Sequence, residues 1–253
     1  MVLKIPPAMM QRSLPPQHLT GFYTARDFSV PTKRIVVSPG TCRSQDDTAD
    51  INLATAMMKR LDQVWAAGSG SGGLDQGALV ANVWYHCFVI LNPTTGAVDI
   101  IFSGSITNPL LPSGFTVFRR VWSILTNGSA DIMPYSQADD WCAWAVQLNS
   151  FSSGNLGASP TVITMATPLG IKVEAQFLLL VTSGAGRVGV MDPDTGDPTA
   201  GLFWPVATKI SAQDLSYRGY VFTDVNSRVV GYADANMTSS VITIGYRDPR
   251  GKL

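Results

Sequence analysis

The chain has 253 residues, of which 45% are hydrophobic and only 14% are charged, whereas an ordinary soluble domain carries about 25% charged residues. Eighteen basic and eighteen acidic residues cancel, which excludes the basic excess expected of a protein that binds nucleic acid or anionic lipid through phosphate groups. A chain with this many hydrophobic residues is not disordered as a whole, because it has enough hydrophobic surface to bury a core.

Residue usage favours β-structure. Seventeen of the eighteen acidic residues are Asp, which suits turns and caps, and Glu174 is the single Glu. Twenty-three Gly and sixteen Pro punctuate the chain at short intervals, as expected for short strands joined by turns. No apolar run is long enough for a membrane span or for the core of a secretion signal, so we expect a soluble all-β protein made in a cytoplasm.

The first twenty residues have the composition of an extended arm. They hold four of the sixteen prolines and no acidic residue, and paired prolines remove backbone donors and favour extended conformations. We predict that residues 1–20 form an attachment arm held by a partner surface, with packing along the arm's own domain as the alternative. The expected anchoring residues are Ile5, Pro6, Pro7, Met9, Met10, Leu14, Pro15, Pro16 and Leu19.

From residue 21 onwards the pattern predicts strands, with one exception. Residues 34–37 form an apolar run that stops at a Ser-Pro-Gly turn signal. Residues 52–67 are predicted as the one helix, because apolar side chains recur at helical spacing ahead of Gly68. These side chains are Met57, Met58, Leu61, Val64 and Trp65.

A glycine-rich stretch follows at residues 68–77. A phosphate-binding loop needs a strand before it and a helix after it, so the order here is reversed, and Gly-Lys-Ser/Thr is missing. Residues 83–91 and 97–102 then predict a β-hairpin around a Thr-Thr-Gly turn. His86 and Cys87 are adjacent on this hairpin and face opposite sides of the strand, so they cannot form a catalytic pair.

The later chain predicts eight more strands. Residues 141–186 contain only two charged side chains, Lys172 and Glu174, which indicates a core or a subunit interface and leads us to favour a homo-oligomeric contact. The predicted strands cover residues 117–125, 141–148, 162–166, 172–181, 187–191, 219–223, 228–233 and 240–246.

Few residues offer acid–base chemistry. The two histidines are His18 in the arm and His86 on an apolar strand, so hydrolysis would depend on His86 or on a pair of Asp residues across a cleft. The three cysteines, at 42, 87 and 142, show no paired spacing and predict reduced structural thiols. Residues 192–197 resemble the start of a calcium loop but lack the later bidentate Glu, and a β-turn explains them equally well. We expect no catalytic, cofactor or metal site.

One aromatic cluster is a candidate for glycan binding. Trp and Tyr offer a flat apolar ring with a polar handle, which suits stacking on the apolar face of a sugar. The alternative is that these rings fill the core. The candidate carbohydrate-binding residues lie around Gln137 and are Tyr135, Trp141, Trp144, Asp139 and Asp140.

One series of motifs is more specific than composition. It contains KRLD, WA, spaced glycines and GLDQG within residues 55–77, then WYH at 84–86, TGAVD at 95–99, FS at 102–103, LPSGFT at 111–116 and RR at 119–120. This series resembles a module of tailed-bacteriophage tail-fibre and other virion appendage proteins, over roughly residues 21–140. The resemblance implies a β-rich, trimeric virion structural protein that is displayed where a phage meets its host.

We therefore expect an antiparallel β-sandwich or jelly-roll-like fold with the arm at 1–20, the tail-fibre-like β module at 21–140 and a second β-rich part at 141–253. The second part either belongs to the same sandwich or forms the oligomer. Most motif residues suit a scaffold, with Arg119 and Arg120 facing opposite sides of their strand so that one pairs with an Asp and the other reaches solvent or a neighbour.

The expected function is host-surface attachment as part of a virion, with a tail fibre or tail tip as its location. The expected partners are other phage virion proteins, further copies of the chain in a trimer, and host cell-surface glycan, with no cofactor, nucleic acid or membrane insertion. A head decoration protein or tail adaptor without receptor binding is the first alternative. A polysaccharide-degrading enzyme that uses Asp139 or Asp140 is the second.

Overall fold

A computed structural model describes residues 13–195, 207–210 and 213–251. The fold is almost entirely β, with 53% of residues in strands and 1% in helical turns, so the predicted all-β class is confirmed. Contacts along the chain divide it into two compact units, and each unit has its own sheets. The predicted arm residues Ile5, Pro6, Pro7, Met9 and Met10 lie outside the described residues.

The first unit comprises residues 13–122, 126–132 and 250–251. A three-stranded sheet has the order β1-β4-β5, and a seven-stranded sheet has the order β10-β8-β9-β7-β6-β3-β2. The strands are β1 (Leu19–Gly21), β2 (Thr24–Arg26), β3 (Arg34–Val37), β4 (Gly40–Arg43), β5 (Asp50–Leu53), β6 (Met57–Val64), β7 (Gly72–Leu74), β8 (Trp84–Leu91), β9 (Val98–Ser103) and β10 (Val117–Leu125). The last three residues of β10 are assigned to the second unit.

The interior of the first unit is built around β8 and β9. Both strands are buried along almost their whole length, which explains their near-continuous apolar sequence, since a strand covered on both faces has no polar alternation. Phe88, Ile90 and Ile101 form the centre of one cluster, and Trp65 and Phe115 pack against it. The Trp65 and Phe115 rings meet each other edge to face, with their centres 5.5 Å apart.

The second unit comprises residues 123–125 and 133–249. A five-stranded sheet has the order β11-β12-β19-β14-β17, and a four-stranded sheet has the order β13-β18-β15-β16. The strands are β11 (Tyr135–Ala138), β12 (Trp141–Leu156), β13 (Thr161–Thr164), β14 (Glu174–Val181), β15 (Gly186–Met191), β16 (Ala207–Lys209), β17 (Leu215–Phe222), β18 (Arg228–Ala233) and β19 (Met237–Arg247), with a single 3₁₀ turn at Pro193–Thr195.

The two sheets of the second unit share one core. Phe177, Leu179 and Val241 from the five-stranded sheet pack with Val188 and Val229 from the four-stranded sheet, and all five side chains are fully buried. This is the arrangement of a β-sandwich, in which inward side chains of two sheets interdigitate. Along β17 and β18 buried and more exposed positions alternate, so each strand presents a second face away from the core.

The predicted helix at residues 52–67 is wrong, because this segment forms β5 and β6. In β6 the side chains of Lys59 and Leu61 are fully buried, while Met58 and Val64 are exposed. The inward positions therefore follow the two-residue period of a strand, but one of them is a lysine. The buried charge hid the strand alternation and left the remaining apolar residues at an apparent helical spacing.

Other predicted elements agree with the structure. Strands β3, β10 and β18 have the predicted bounds at both ends, and β8 and β9 form the predicted antiparallel hairpin. Neither Arg119 nor Arg120 reaches solvent, since their exposed fractions are 1% and 2%, and the alternative of contact with a neighbouring chain stays a prediction.

Candidate functional site

Several residues of the motif series meet in the interior of the first unit. Lys59 Nζ lies 2.8 Å from Asp99 Oδ1 and donates to the Ala66 carbonyl at 2.6 Å. The Gly68 amide donates to Asp99 Oδ2 at 2.8 Å, and the Lys59 ammonium lies 5.3 Å from the centre of the Trp65 ring. We call this group the Lys59–Asp99 centre.

The Lys59–Asp99 centre is enclosed. The Lys59 side chain is 0% exposed and the Asp99 side chain 4%. Burial lowers the pKa of the Lys59 ammonium, and the hydrogen bond and charge of Asp99 oppose that lowering. A charged pair that no solute can reach fixes the positions of β6, β9 and the turn at Gly68, so these motif residues act as scaffold.

Two glycines of the same motif series permit the close approach of β7 to its neighbours. A Cβ at Gly72 would lie 2.0 Å from the Val64 carbonyl oxygen, and one at Gly73 would lie 3.0 Å from both Lys59 Cβ and a Phe102 ring carbon. Any side chain at Gly72 would therefore collide with backbone. This explains why β7 can lie between β6 and β9 in the sheet.

Three arginines of the first unit are almost fully buried. Arg250, 3% exposed, donates to the carbonyl oxygens of Val121 and Phe22 at 3.2 Å each and also to that of Gly21. Arg119 Nε and Nη2 are buried and have no hydrogen-bond partner among the described residues. Burial lowers the pKa of Arg119.

The predicted reduced thiols are free and buried in the structure. Desolvation raises the pKa of Cys42 to about 12, and it also raises the pKa of the thiols of Cys87 and Cys142. At neutral pH the nucleophilic thiolate is therefore scarce at all three positions. His86 is 2% exposed on β8 and is likewise closed off from solvent.

The structure separates the aromatic residues predicted to bind carbohydrate. Trp144 is 8% exposed, and its indole nitrogen donates to the Ala166 carbonyl at 3.2 Å. Tyr135 pairs with Trp144 across β11 and β12 and so shares its side of the sheet. Trp141 is three residues from Trp144 along β12, and alternation places its side chain on the opposite side.

Asp139 and Asp140 form the tight turn between β11 and β12. Asp139 has a positive φ of 56° and is exposed, and its carbonyl accepts a hydrogen bond from Gln137 Nε2 at 2.9 Å. Asp140 Oδ1 lies 3.1 Å from Nη1 of Arg247 on β19. Of the five predicted carbohydrate-binding residues, Trp141 and Asp140 thus both lie next to Arg247, and through it they share a set of neighbours.

Those neighbours form a row across the outer side of the five-stranded sheet. The strand register pairs Trp141 with Arg247, Arg247 with Glu174, and Glu174 with Phe222. In the next row Gln176 pairs with Tyr220, and directly paired residues point to the same side. We call these six side chains the aromatic face: Trp141, Glu174, Gln176, Tyr220, Phe222 and Arg247.

The rings of the aromatic face are held in place from below. Trp141 and Tyr220 meet edge to face with ring centres 6.3 Å apart. A Cβ at Gly245 would lie 2.8 Å from Cζ2 of Trp141, so the indole lies over a position that has no side chain. Gln176 Nε2 donates to Tyr220 Oη at 2.7 Å, which fixes the phenol.

Paired charges border these rings. Arg247 lies 3.1 Å from Asp140 and 3.1 Å from Glu174 through different nitrogens, and its guanidinium lies 6.0 Å from the centre of the Trp141 ring. At the other end of the row, Lys172 Nζ lies 6.0 Å from the Phe222 ring. The same ammonium lies 2.7 Å from a carboxylate oxygen of Asp192 and 2.7 Å from one of Asp194.

A cleft of about 520 Å³ opens beside Tyr220 and Phe222. Its other walls include Val190, Asp192 and Thr195, so apolar side chains and hydrogen-bonding groups face the same space. The volume lies within the usual range for small-molecule sites, about 300–1,000 Å³. Tyr220 and Phe222 remain 55% and 51% exposed, which leaves their rings available to a ligand.

Within the described ranges, no group of three or more His, Cys, Asp or Glu side chains is arranged to hold a metal ion. Asp192 and Asp194 of the calcium-like segment bind Lys172 instead, and Asp197 lies outside the described residues. The part of the chain that the structure describes contains no helix of the length and hydropathy needed to cross a membrane.

The sequence analysis missed five members of the aromatic face, which are Glu174, Gln176, Tyr220, Phe222 and Arg247. One signal was present. Tyr220 and Phe222 alternate with buried positions on β17, and aromatic residues at the outward positions of a strand are not needed by the core beneath it. Arg247 gave no such signal, because only the pairing of β19 with β12 and β14 brings it between Asp140 and Glu174.

Comparisons with protein-family models, with curated protein sequences and with solved structures find no match to this chain.

Proposed function

We propose that this protein is a structural component of a bacteriophage virion, in a tail fibre or tail tip, and that it takes part in attachment to the host surface. The observation that carries the proposal is the aromatic face. Tyr220 and Phe222 are more than half exposed on a sheet whose other side already has a complete core. Because exposing large apolar rings to water is unfavourable, a cluster of them on a folded unit marks an interaction surface.

The position of the motif residues supports the same proposal. The segments that resemble the tail-fibre module supply the Lys59–Asp99 centre and the glycines around β7, which hold strands together. We therefore assign these motif residues to the scaffold and recognition to residues elsewhere in the chain. The aromatic face belongs to the second unit, which lies largely outside the segment that carries the resemblance.

Two measurements test the proposed function. Mass spectrometry of purified particles should detect the chain as a stoichiometric virion component. Free full-length protein added in excess should then compete with the particles for adsorption to host cells. The Tyr220→Ala variant should compete at least tenfold less well, because it removes an exposed ring of the aromatic face.

The control is Phe28→Ala, which removes a ring that is 102% exposed in the first unit and should leave competition unchanged. If the chain is missing from purified particles, the virion role is wrong. If the chain is present but does not compete, the head decoration or tail adaptor alternative replaces attachment. Release of reducing ends from host polysaccharide by the purified protein would favour the enzyme alternative.

A further inference from the structure

The geometry points to a neutral glycan as the ligand of the aromatic face and its adjoining cleft. This inference rests on the proposed function and names the ligand class of the same site. Sugar rings have apolar faces formed by C–H groups and polar edges formed by hydroxyls. A surface that binds them therefore needs exposed aromatic rings together with fixed donors and acceptors.

The aromatic face supplies both requirements in one row. Tyr220 and Phe222 offer rings that are more than half exposed, and the partly buried Trp141 ring lies beside that of Tyr220. Arg247 and Glu174 lie between Trp141 and Phe222 in the register. Sugar hydroxyls donate and accept hydrogen bonds, so a guanidinium beside carboxylates can satisfy both roles with charge-assisted bonds.

The size of the row selects a chain of sugars over a single ring. Trp141 and Phe222 are three strand-to-strand steps apart across the sheet, which at about 4.8 Å per step separates their backbones by about 14 Å. The side chains span this distance, since the Trp141 and Tyr220 ring centres lie 6.3 Å apart. The cleft continues the row beyond β17, with Asp192 and Thr195 as hydrogen-bonding groups. An oligosaccharide segment can therefore cross the sheet from Trp141 and end in the cleft.

Charge selects a neutral glycan over an acidic one. Around the aromatic face, Arg247 and Lys172 are paired with four carboxylates, those of Asp140, Glu174, Asp192 and Asp194. Even when the exposed Arg218 of β17 is included, acidic groups outnumber basic ones. Such a surface offers no positive potential to attract uronate, sialate or phosphate groups.

The fixed orientation of the rings makes binding more favourable. Gly245 leaves room for the Trp141 indole, and Gln176 holds the Tyr220 hydroxyl. Both aromatic side chains are therefore already ordered before a ligand arrives, which reduces the conformational entropy lost on binding.

The test uses the full-length protein on an array of neutral and acidic bacterial surface polysaccharides, followed by calorimetry with the best binder. We expect binding to at least one neutral glycan, with affinity that is unchanged between about 0.05 M and about 0.5 M NaCl because no net charge attraction is involved. Trp141→Ala and Tyr220→Ala should each weaken binding at least tenfold, and Phe28→Ala should not weaken it.

Three outcomes overturn the inference: no neutral glycan binds, only acidic glycans bind and salt weakens them, or the two ring variants bind like the unchanged chain. If Tyr220→Ala changes the molar mass by light scattering, the face is a contact between copies of the chain instead. If the protein binds no neutral glycan but still competes with particles for adsorption to host cells, the proposed function stands with another ligand.

If the protein binds a neutral glycan but does not compete for adsorption, the attachment role is wrong and the glycan inference stands. Unchanged far-ultraviolet circular dichroism and an unchanged melting temperature confirm that each variant is folded.

Discussion

Removal of Lys59 should destabilise the first unit strongly. In Lys59→Met the side chain keeps a similar length, so the loss comes from charge and not from a cavity. Asp99, whose side chain is 4% exposed, would keep only the amide donors of Gly68 and Ile100. Leaving one member of a buried ion pair uncompensated costs about 3–5 kcal/mol, a large share of the roughly 5–15 kcal/mol that stabilises a domain.

The assay is differential scanning calorimetry combined with urea denaturation, because a chain with two units need not unfold in one step. Lys59→Met should lower the free energy of unfolding of one transition and leave the other in place. The double variant Lys59→Met/Asp99→Asn should recover most of the loss, since the amide oxygen still accepts from Gly68 and no charge remains buried.

Arg60→Met is the matched control. Arg60 is the next residue on β6 and pairs with Asp62 at 2.6 Å, but the two side chains are 31% and 27% exposed. A pair this accessible contributes less than about 1 kcal/mol. If Lys59→Met costs no more than Arg60→Met, or if the double variant is as unstable as the single one, the buried pair does not act as a structural centre.

Three further results are expected. Hydrogen bonds from Arg187 hold the pKa of Asp234 below its ordinary value of 3.8. Because the unfolded chain therefore takes up this proton at higher pH than the folded one, the stabilisation is intact above about pH 3.8 and should be lost as the pH falls through the pKa of the folded carboxyl. Unfolding curves that do not change between about pH 5 and pH 2 would contradict this. The three buried thiols should not react with a disulfide reagent at about pH 8 until the chain is denatured. Trp144→Ala should lose about 3–5 kcal/mol of stability, whereas Trp141→Ala should lose far less; equal losses would contradict the two-sided arrangement of β12.

The strands predicted most accurately are those with strong turn signals at both ends. Strand β18 runs between the turn at residues 224–227 and the bend at 234–235, and its predicted bounds agree with the structure. The β8–β9 hairpin was visible because two apolar runs flank a Thr-Thr-Gly turn. Most strands of three or four residues, such as β1, β2 and β4, were missed because so short a segment holds too few alternations to detect. The four-residue β3 was found because an apolar run ends there at a Ser-Pro-Gly turn signal.

The β6 error has a different cause. A pattern analysis assigns charged residues to the solvent side, and Lys59 violates that assumption because Asp99 neutralises it in the interior. Asp99 lies forty positions further along the chain and is brought to Lys59 by tertiary pairing. No local window around residues 52–67 contains its partner, so sequence periodicity alone could not identify this strand.

The binding-site prediction divides in the same way. That Trp141 and Trp144 face opposite sides of one strand follows from their odd separation and needs no structure. What the sequence does not contain is the strand order, which places β17 and β19 in the same sheet as β12. Because the neighbours of Trp141 lie at least 30 positions further along the chain, Tyr220, Gln176 and Arg247 could join the site only once the pairing was known.

Scaffold and recognition residues occupy different parts of the chain, and this has a consequence for related sequences. Substitution of Lys59, Gly72 or Asp99 alters buried contacts in the first unit, whereas substitution of Tyr220 or Phe222 alters exposed rings at little cost to a core that they do not fill. Chains that share the motif series should therefore share the fold of the first unit while binding different ligands. A natural variant that keeps Lys59 and Asp99 but lacks the aromatic rings should fold equally well and should not bind the neutral glycan.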